Sequence, residues 1–311
     1  MTRFVISMTT LPKRLPHIGP VIDSILKFNP DIDKLYICLP YGDVNKKHIP
    51  SDTEKLKVIR CKDYGPITKI LGVLEYETDP NTLILTLDDD TLIKKNVTKI
   101  LKHKSKLYPN AALSFSGWCY GIFPVKYQIV LDNTRDAKVD WIQGVHGILY
   151  QRKFMDLDEI LNFELNHPLL FKNDDHRIAA YLESKHIDRI SINRNPTDYF
   201  KNYAPVSGID AISGNSPSKS VKFWMNVAEV CDYLKQRGFY YRTYDNGCSV
   251  IFVVIMFLIL GILLISLGLL TLYCYGILDW LYIIILILII IFFVCVLVNR
   301  YKKNKFLKVE K

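Results

Sequence analysis

The sequence predicts an α/β body, a sheet with crossover helices, followed by two transmembrane helices. Three observations carry that expectation. Short apolar runs alternate with amphipathic stretches through most of the chain. One run, Thr82–Leu87, is apolar enough to be buried on both faces. Two long tracts without a polar face fill much of the last quarter of the 311 residues.

Phe4–Ser7 reads as a first strand, Ile18–Phe28 as a helix, and Lys34–Leu39 as a second strand stopped by Pro40 and Gly42. Val58–Arg60 is a short third strand. Ile67–Glu77 repeats apolar residues at Ile67, Ile70, Leu71 and Leu74, a helical spacing opened by Gly65-Pro66. Thr82–Leu87, bounded by Asp79-Pro80-Asn81 and by three aspartates, is the central strand. Val97–Leu107 follows as a helix, Ala111–Ser116 as a strand, and Trp141–Tyr150 as a glycine-interrupted strand or strand and turn. Asp174–Ser184 is a helix with Ile178 and Leu182 on one side, and Arg189–Ile192 is the last strand. Asn195–Ser218, rich in Pro, Gly, Ser and Asn, is an irregular lid or linker. Val221–Tyr233 has the spacing of a short amphipathic helix, suited to a membrane interface or to packing on the body.

Ser249–Leu272 runs 24 residues without a charge, and Ile277–Val298 is nearly as apolar apart from Asp279. Either is long enough for a hydrocarbon core of about 30 Å, and the short aromatic link between them makes a hairpin. Basic residues precede the first tract (Lys235, Arg237, Arg242) and crowd behind the second (Arg300, Lys302, Lys303, Lys305, Lys308). That distribution puts both flanks on the cytosolic side of a membrane crossed twice. The sequence-based organisation is therefore a body over 1–218, a juxtamembrane segment over 219–248, a hairpin over 249–298 and a basic cytosolic tail over 299–311. The opening residues reach charged sequence too soon for a signal peptide, so the body is expected in the cytosol with both termini.

The formal charge is +9, but Arg300–Lys311 alone holds six basic residues and one acidic one. The remaining excess is mild and no nucleic-acid-binding signature is visible, which excludes nucleic acid as a partner. Seven cysteines, widely spaced and without CxxC, argue against a zinc site or a disulfide framework. Thr9-Thr10-Leu11-Pro12 stands where a dinucleotide or P-loop enzyme has its glycine-rich turn.

Asp88-Asp89-Asp90 sits at the carboxyl end of the buried strand, where α/β folds place ligands. Adjacent carboxylates repel unless a cation or solvent relieves them. In an extended stretch Asp88 and Asp90 point the same way and Asp89 the other. Hard carboxylate oxygens suit Mg²⁺ or Mn²⁺, ions that complete their shells with water and phosphate oxygens. The plainer alternative is an acidic turn capping the next helix.

With Pro80–Leu87 before them, Asp88 and Asp90 resemble the DxD motif of GT-A fold glycosyltransferases, Rossmann-like nucleotide-diphospho-sugar transferases related to the inverting family 2 type. Two further segments extend the resemblance over residues 4–192: Ile6–Arg14 with Asp33–Ile37, and Trp141–Tyr150 with Asn173–Ile178. The resemblance implies that Asp88 and Asp90 hold Mn²⁺ or Mg²⁺, and that Thr9, Thr10, Arg14, Lys69, Asp88 and Asp89 line a UDP- or GDP-linked sugar donor. Lys69, following Gly65-Pro66-Ile67-Thr68, stands in the first turn of its helix, where a cation opposes the dipole. A phosphate or the aspartates would explain it; an exposed lysine of small energetic weight would equally.

Asp174 and Asp175 resemble the late acidic motif that supplies the base in inverting members, with Asp175 as base and Asp174 in support; as first-turn acids they also suit the helix they open. His146, between two glycines, lines an acceptor cleft or is a hydrogen-bonded structural histidine. Trp118 and Trp141 stack on sugars or belong to the core. The QxxRW segment of processive synthases is missing, which favours transfer of a single sugar. The acceptor, a glycan, protein or lipid, is not specified. Rival readings are a metal-dependent phosphoryl or nucleotidyl transferase and a non-catalytic membrane protein retaining the fold.

Overall fold

The computed structural model describes residues 2–120, 126–128, 136–163, 170, 173–203, 229–230, 233–234, 236–237, 256–268 and 287. The chain divides into two compact units, Met1–Tyr244 and Asp245–Lys311.

In the first unit the chain builds β1 (Phe4–Thr9), α1 (Gly19–Phe28), β2 (Lys34–Pro40), β3 (Leu56–Cys61), α2 (Thr68–Leu74) and β4 (Leu83–Leu87). It continues through β5 (Thr91–Ile93), α3 (Thr98–Leu107), β6 (Ala111–Ser114), β7 (Gly117–Tyr120), β8 (Lys126–Gln128), β9 (Ala137–Lys138), β10 (Trp141–Ile142) and β11 (Ile148–Gln151). α4 (Leu157–Asn162), α5 (Asp174–Ser184), β12 (Asp188–Ser191) and β13 (Phe200–Asn202) follow. Among the described residues, eight strands form one sheet in the order β3-β2-β1-β4-β11-β6-β12-β9. β1 to β4 run parallel; β11 is antiparallel to both neighbours, β4 and β6.

Alternation along the strands sorts side chains into two cores. Phe4, Ile6 and Met8 of β1 pack on one face with Val21 and Ile25 of α1 and Leu101 of α3. Val5 packs on the other with Ile70, Leu71 and Leu74 of α2 and Ile178 and Leu182 of α5. β4 is buried along its whole length, as an all-apolar strand covered on both faces must be.

The expectation of two membrane-spanning helices is not met. Among the described residues no helix is long and apolar enough to cross a membrane. In the second unit the described residues are 256–268, which are helical, and 287. The rest of 249–298, apart from residue 287, lies outside the described residues, as does most of 219–248 and the tail. The two-span topology, the membrane as a partner, and the cytosolic orientation deduced from the basic flanks fall with the hairpin. The fold class is corrected accordingly to an α/β fold, without the appended hairpin.

Smaller differences are instructive. The glycine-interrupted stretch is two strands, β10 and β11, separated by a 3-10 turn at Gly144–His146. β10 leaves the main sheet to pair with β7. The segment from Asn195 is not irregular throughout: β13 pairs antiparallel with β5, and Tyr203 N–H donates to the Asp90 carbonyl at 2.7 Å. Beyond Tyr203, the rest of the expected lid lies outside the described residues.

Candidate functional site

The site forms at the carboxyl edge of the sheet because three features converge there. β4 ends at Leu87 and hands the chain to the three aspartates. β11 pairs antiparallel with β4, Ile148 opposite Thr86, so the turn before it stands level with Leu87 and Asp88. α5 begins at Asp174 beside that turn, with Gly144 N–H donating to Asp175 Oδ1 at 2.9 Å.

Gly147 makes the close approach possible. Its φ is +77°, and a Cβ there would sit 2.8 Å from Leu87 Cδ2 and 3.1 Å from the Thr86 carbonyl oxygen. Gly144 serves the acids directly: a Cβ would meet Asp175 Oδ1 at 3.0 Å and Lys69 Nζ at 3.1 Å. Any other residue crowds both charged groups.

The three aspartates do not alternate as an extended stretch would, because Asp89 and Asp90 lie in a turn. β5 follows, so they do not cap a helix either. Asp89 is buried; Thr10 Oγ1 donates to its Oδ2 at 2.6 Å and Arg14 Nη1 to its Oδ1 at 2.5 Å. Burial raises the Asp89 carboxyl above the usual range, although Thr10 and Arg14 oppose the shift. Arg14 also stands 3.8 Å from Asp90 Oδ2. Thr9 faces away, its hydroxyl donating to the Cys38 carbonyl at 2.8 Å. Asp89, Thr10 and Arg14 are therefore joined to one another, a clamp between the β1 loop and the acid turn.

Lys69 is not an exposed lysine: it is 4% exposed. Its ammonium donates to Asp88 Oδ1 at 2.8 Å and lies 2.9 Å from Asp174 Oδ2. The Asp174 contact is an ion pair off the line of a hydrogen bond, for that buried oxygen accepts none among the described residues. Burial pulls the ammonium's pKa down, but Asp174, Asp88 and Asp175 more than offset it and hold the lysine charged. Asp175 is half-buried at the head of α5. Desolvation and then Asp174 push its carboxyl well above the usual range, with Lys69 and the Gly144 N–H opposing.

Among the described residues no group of three or more His, Cys, Asp or Glu gathers to hold a metal ion. Asp88 and Asp90 are the carboxylates left with open surface at the acid turn, since Asp89 is closed off by Thr10 and Arg14. Such a set fits Mg²⁺ or Mn²⁺ only in the form in which one or two carboxylates are completed by water and phosphate.

His146 Nδ1 is 3.0 Å from Ser116 Oγ, and burial lowers the ring's pKa to about 4, with Asp88 acting weakly the other way. It is a neutral, hydrogen-bonded imidazole. Trp141 is buried and stacks on the half-buried Trp118, ring centres 6.1 Å apart, which makes it a core residue. Sequence reading did not anticipate Ser116, Gly144 as a packing device, or Tyr203. The glycine-histidine-glycine string was the only local signal for the first two.

No family model matches the chain, and no curated protein matches it. The motif strings therefore do not establish the family resemblance, and the DxD reading with a transmembrane hairpin is set aside. One solved structure similar in fold is described as the crystal structure of GalNAc-T7 with UDP, GalNAc and Mn²⁺. The match has 12% identity and a TM-score of 0.48, covering 75% of this chain and 50% of that one. The chain thus spans about half the length of that structure. At that level the likeness says nothing of residues or chemistry.

Proposed function

We propose that the first unit transfers a single sugar from a nucleotide-diphosphate donor to an acceptor hydroxyl, with inversion at the anomeric carbon. The observation that supports this is the convergence of two acidic groups of different character on one edge. Asp88 and Asp90 are partly open and lie at the end of a buried strand, a place for a phosphate-bearing donor. Asp175 stands at the head of α5 with its Oδ1 on the Gly144 N–H, and desolvation and Asp174 raise its carboxyl's proton affinity, as suits a general base.

In this reading the loop after β1, with Thr10 and Arg14, forms the wall beside the nucleotide, and Asp89 keeps that wall in register with the acid turn. Asp88 and Asp90 would hold Mg²⁺ or Mn²⁺, which supplies neutralisation for the charge growing on the leaving diphosphate. Asp175 takes the proton of the attacking hydroxyl, so the acceptor oxygen bonds to the anomeric carbon as the bond to the diphosphate oxygen breaks. Asp174 orients the neighbourhood through Lys69.

A panel of nucleotide sugars, assayed for product with and without Mn²⁺ or Mg²⁺ and in parallel with Asp90→Ala, tests the reading. A glycosylated product whose formation needs Asp90 supports it. Release of phosphate or nucleotide onto the acceptor, or tight nucleotide binding indifferent to Asp90→Ala, overturns it.

A further inference from the structure

Lysine is seldom buried without a partner, and here it is buried where the fold offers least help. Lys69 occupies the first turn of α2, where backbone N–H groups already place positive charge. Taking an ammonium out of water costs several kcal/mol unless opposite charges meet it. Two do, from different elements: Asp88 at the end of β4 and Asp174 at the start of α5. The residue is fixed at its other end too, since Ser7 Oγ of β1 donates to the Lys69 carbonyl at 2.5 Å. Gly144 closes over the ammonium, where a Cβ would stand 3.1 Å from Lys69 Nζ.

We propose that Lys69 is a positioning residue: an ionic strut that sets the spacing between the donor-side acid Asp88 and the acid pair at the head of α5, without itself touching the donor. The proposal rests on the transferase reading for its functional meaning and reverses the role that sequence resemblance gives Lys69. A diphosphate ligand keeps its charge facing an open cleft. Lys69 instead spends its charge on two carboxylates inside the wall. Without it, Asp88, Asp174 and Asp175 have no shared counter-charge, and the elements carrying them move apart.

The test is a cycle of Lys69→Met, Asp174→Asn and the double variant in the full chain, read by thermal unfolding and by calorimetry with UDP and Mn²⁺. Lys69→Met alone strands buried carboxylates and is expected to lower Tm by about 10 °C. The double variant is expected to recover at least half of that loss, because the stranded partner is gone. UDP affinity in the double variant stays within about threefold of wild type. With a working donor, kcat of the double variant falls at least tenfold while donor KM changes less than threefold, the signature of lost alignment.

Additive Tm losses in the cycle, or a tenfold loss of UDP affinity in the double variant, overturn the strut. If Lys69→Met does not fold, the double variant still carries the affinity test. Should the donor panel give no product while the cycle shows coupling, the transferase reading fails and the strut stands.

Discussion

Asp175→Asn separates function from stability in a single substitution. Asparagine retains an oxygen to accept the Gly144 N–H, now at 2.9 Å, and nearly the same volume. It cannot take a proton, so transfer should fall by about 10²–10⁴, equivalent to ~3–5 kcal/mol of barrier, with donor binding preserved. Stability should move the other way. Desolvation and Asp174 raise the Asp175 carboxyl in the folded protein. The folded state therefore binds that proton more tightly than the unfolded chain does, and stability is lost as pH rises from the ordinary carboxylate range through the raised folded value. The asparagine variant escapes this loss, since Lys69 then faces two carboxylates, Asp88 and Asp174, in place of three. A gain in stability at pH 8 follows, read as a higher Tm, vanishing at about pH 4 and below. Thermal unfolding across pH, alongside single-turnover assays, measures both. A variant less stable than wild type at pH 8, or one that transfers at the wild-type rate, refutes the electrostatic account of this acid.

Gly144→Ala should cost about 1–3 kcal/mol and slow transfer, because its Cβ would press on Asp175 and Lys69. Gly19→Ala, where a Cβ meets nothing within 4 Å, is the control in urea titrations and should be close to neutral. His146, lowered by burial to about 4, favours the neutral ring in the folded state, so its contribution holds above the ordinary histidine value and is lost as pH falls through about 4. Between pH 7 and 4.5, wild type should lose about 2 kcal/mol more than His146→Gln in denaturant unfolding. Burial pushes Cys38 to about 12 and Cys61 to about 11. Neither should react with iodoacetamide at pH 8 until urea unfolds the protein, as peptide mass mapping would report.

Much of the fold is legible because facing is written locally. The acids at the head of Asp174–Ser184 and the apolar spacing behind them mark that helix at its observed limits. The all-apolar run before Asp88 marks β4. Neighbourhood is not written locally. Nothing in Ile148–Gln151 says that it inserts between β4 and β6, or in Phe200–Asn202 that it returns to Thr91–Ile93. Lys69 stood out in sequence as a cation at the wrong end of a helix, but its two partners become visible only when β4 and α5 are brought together. The transmembrane expectation failed for another reason. Hydropathy counts apolar residues in a row, whereas crossing demands an unbroken helix of about 20 residues, and among the described residues no helix is long and apolar enough.

The reversed strand also sets an order of assembly. β4 and β6 precede β11 in the chain, and both meet it at an edge. Until Ile148–Gln151 arrives, those two strands present unpaired edges, and an exposed apolar edge is a template for wrong pairing. A nascent chain that has not yet released Gln151 leaves β4 with one bare edge and β6 with two, since β12 follows later in the chain. Filling the gap is one event with two results. It joins β4 to β6, and it brings the turn with Gly144 to Lys69, ready to receive Asp175 when α5 packs.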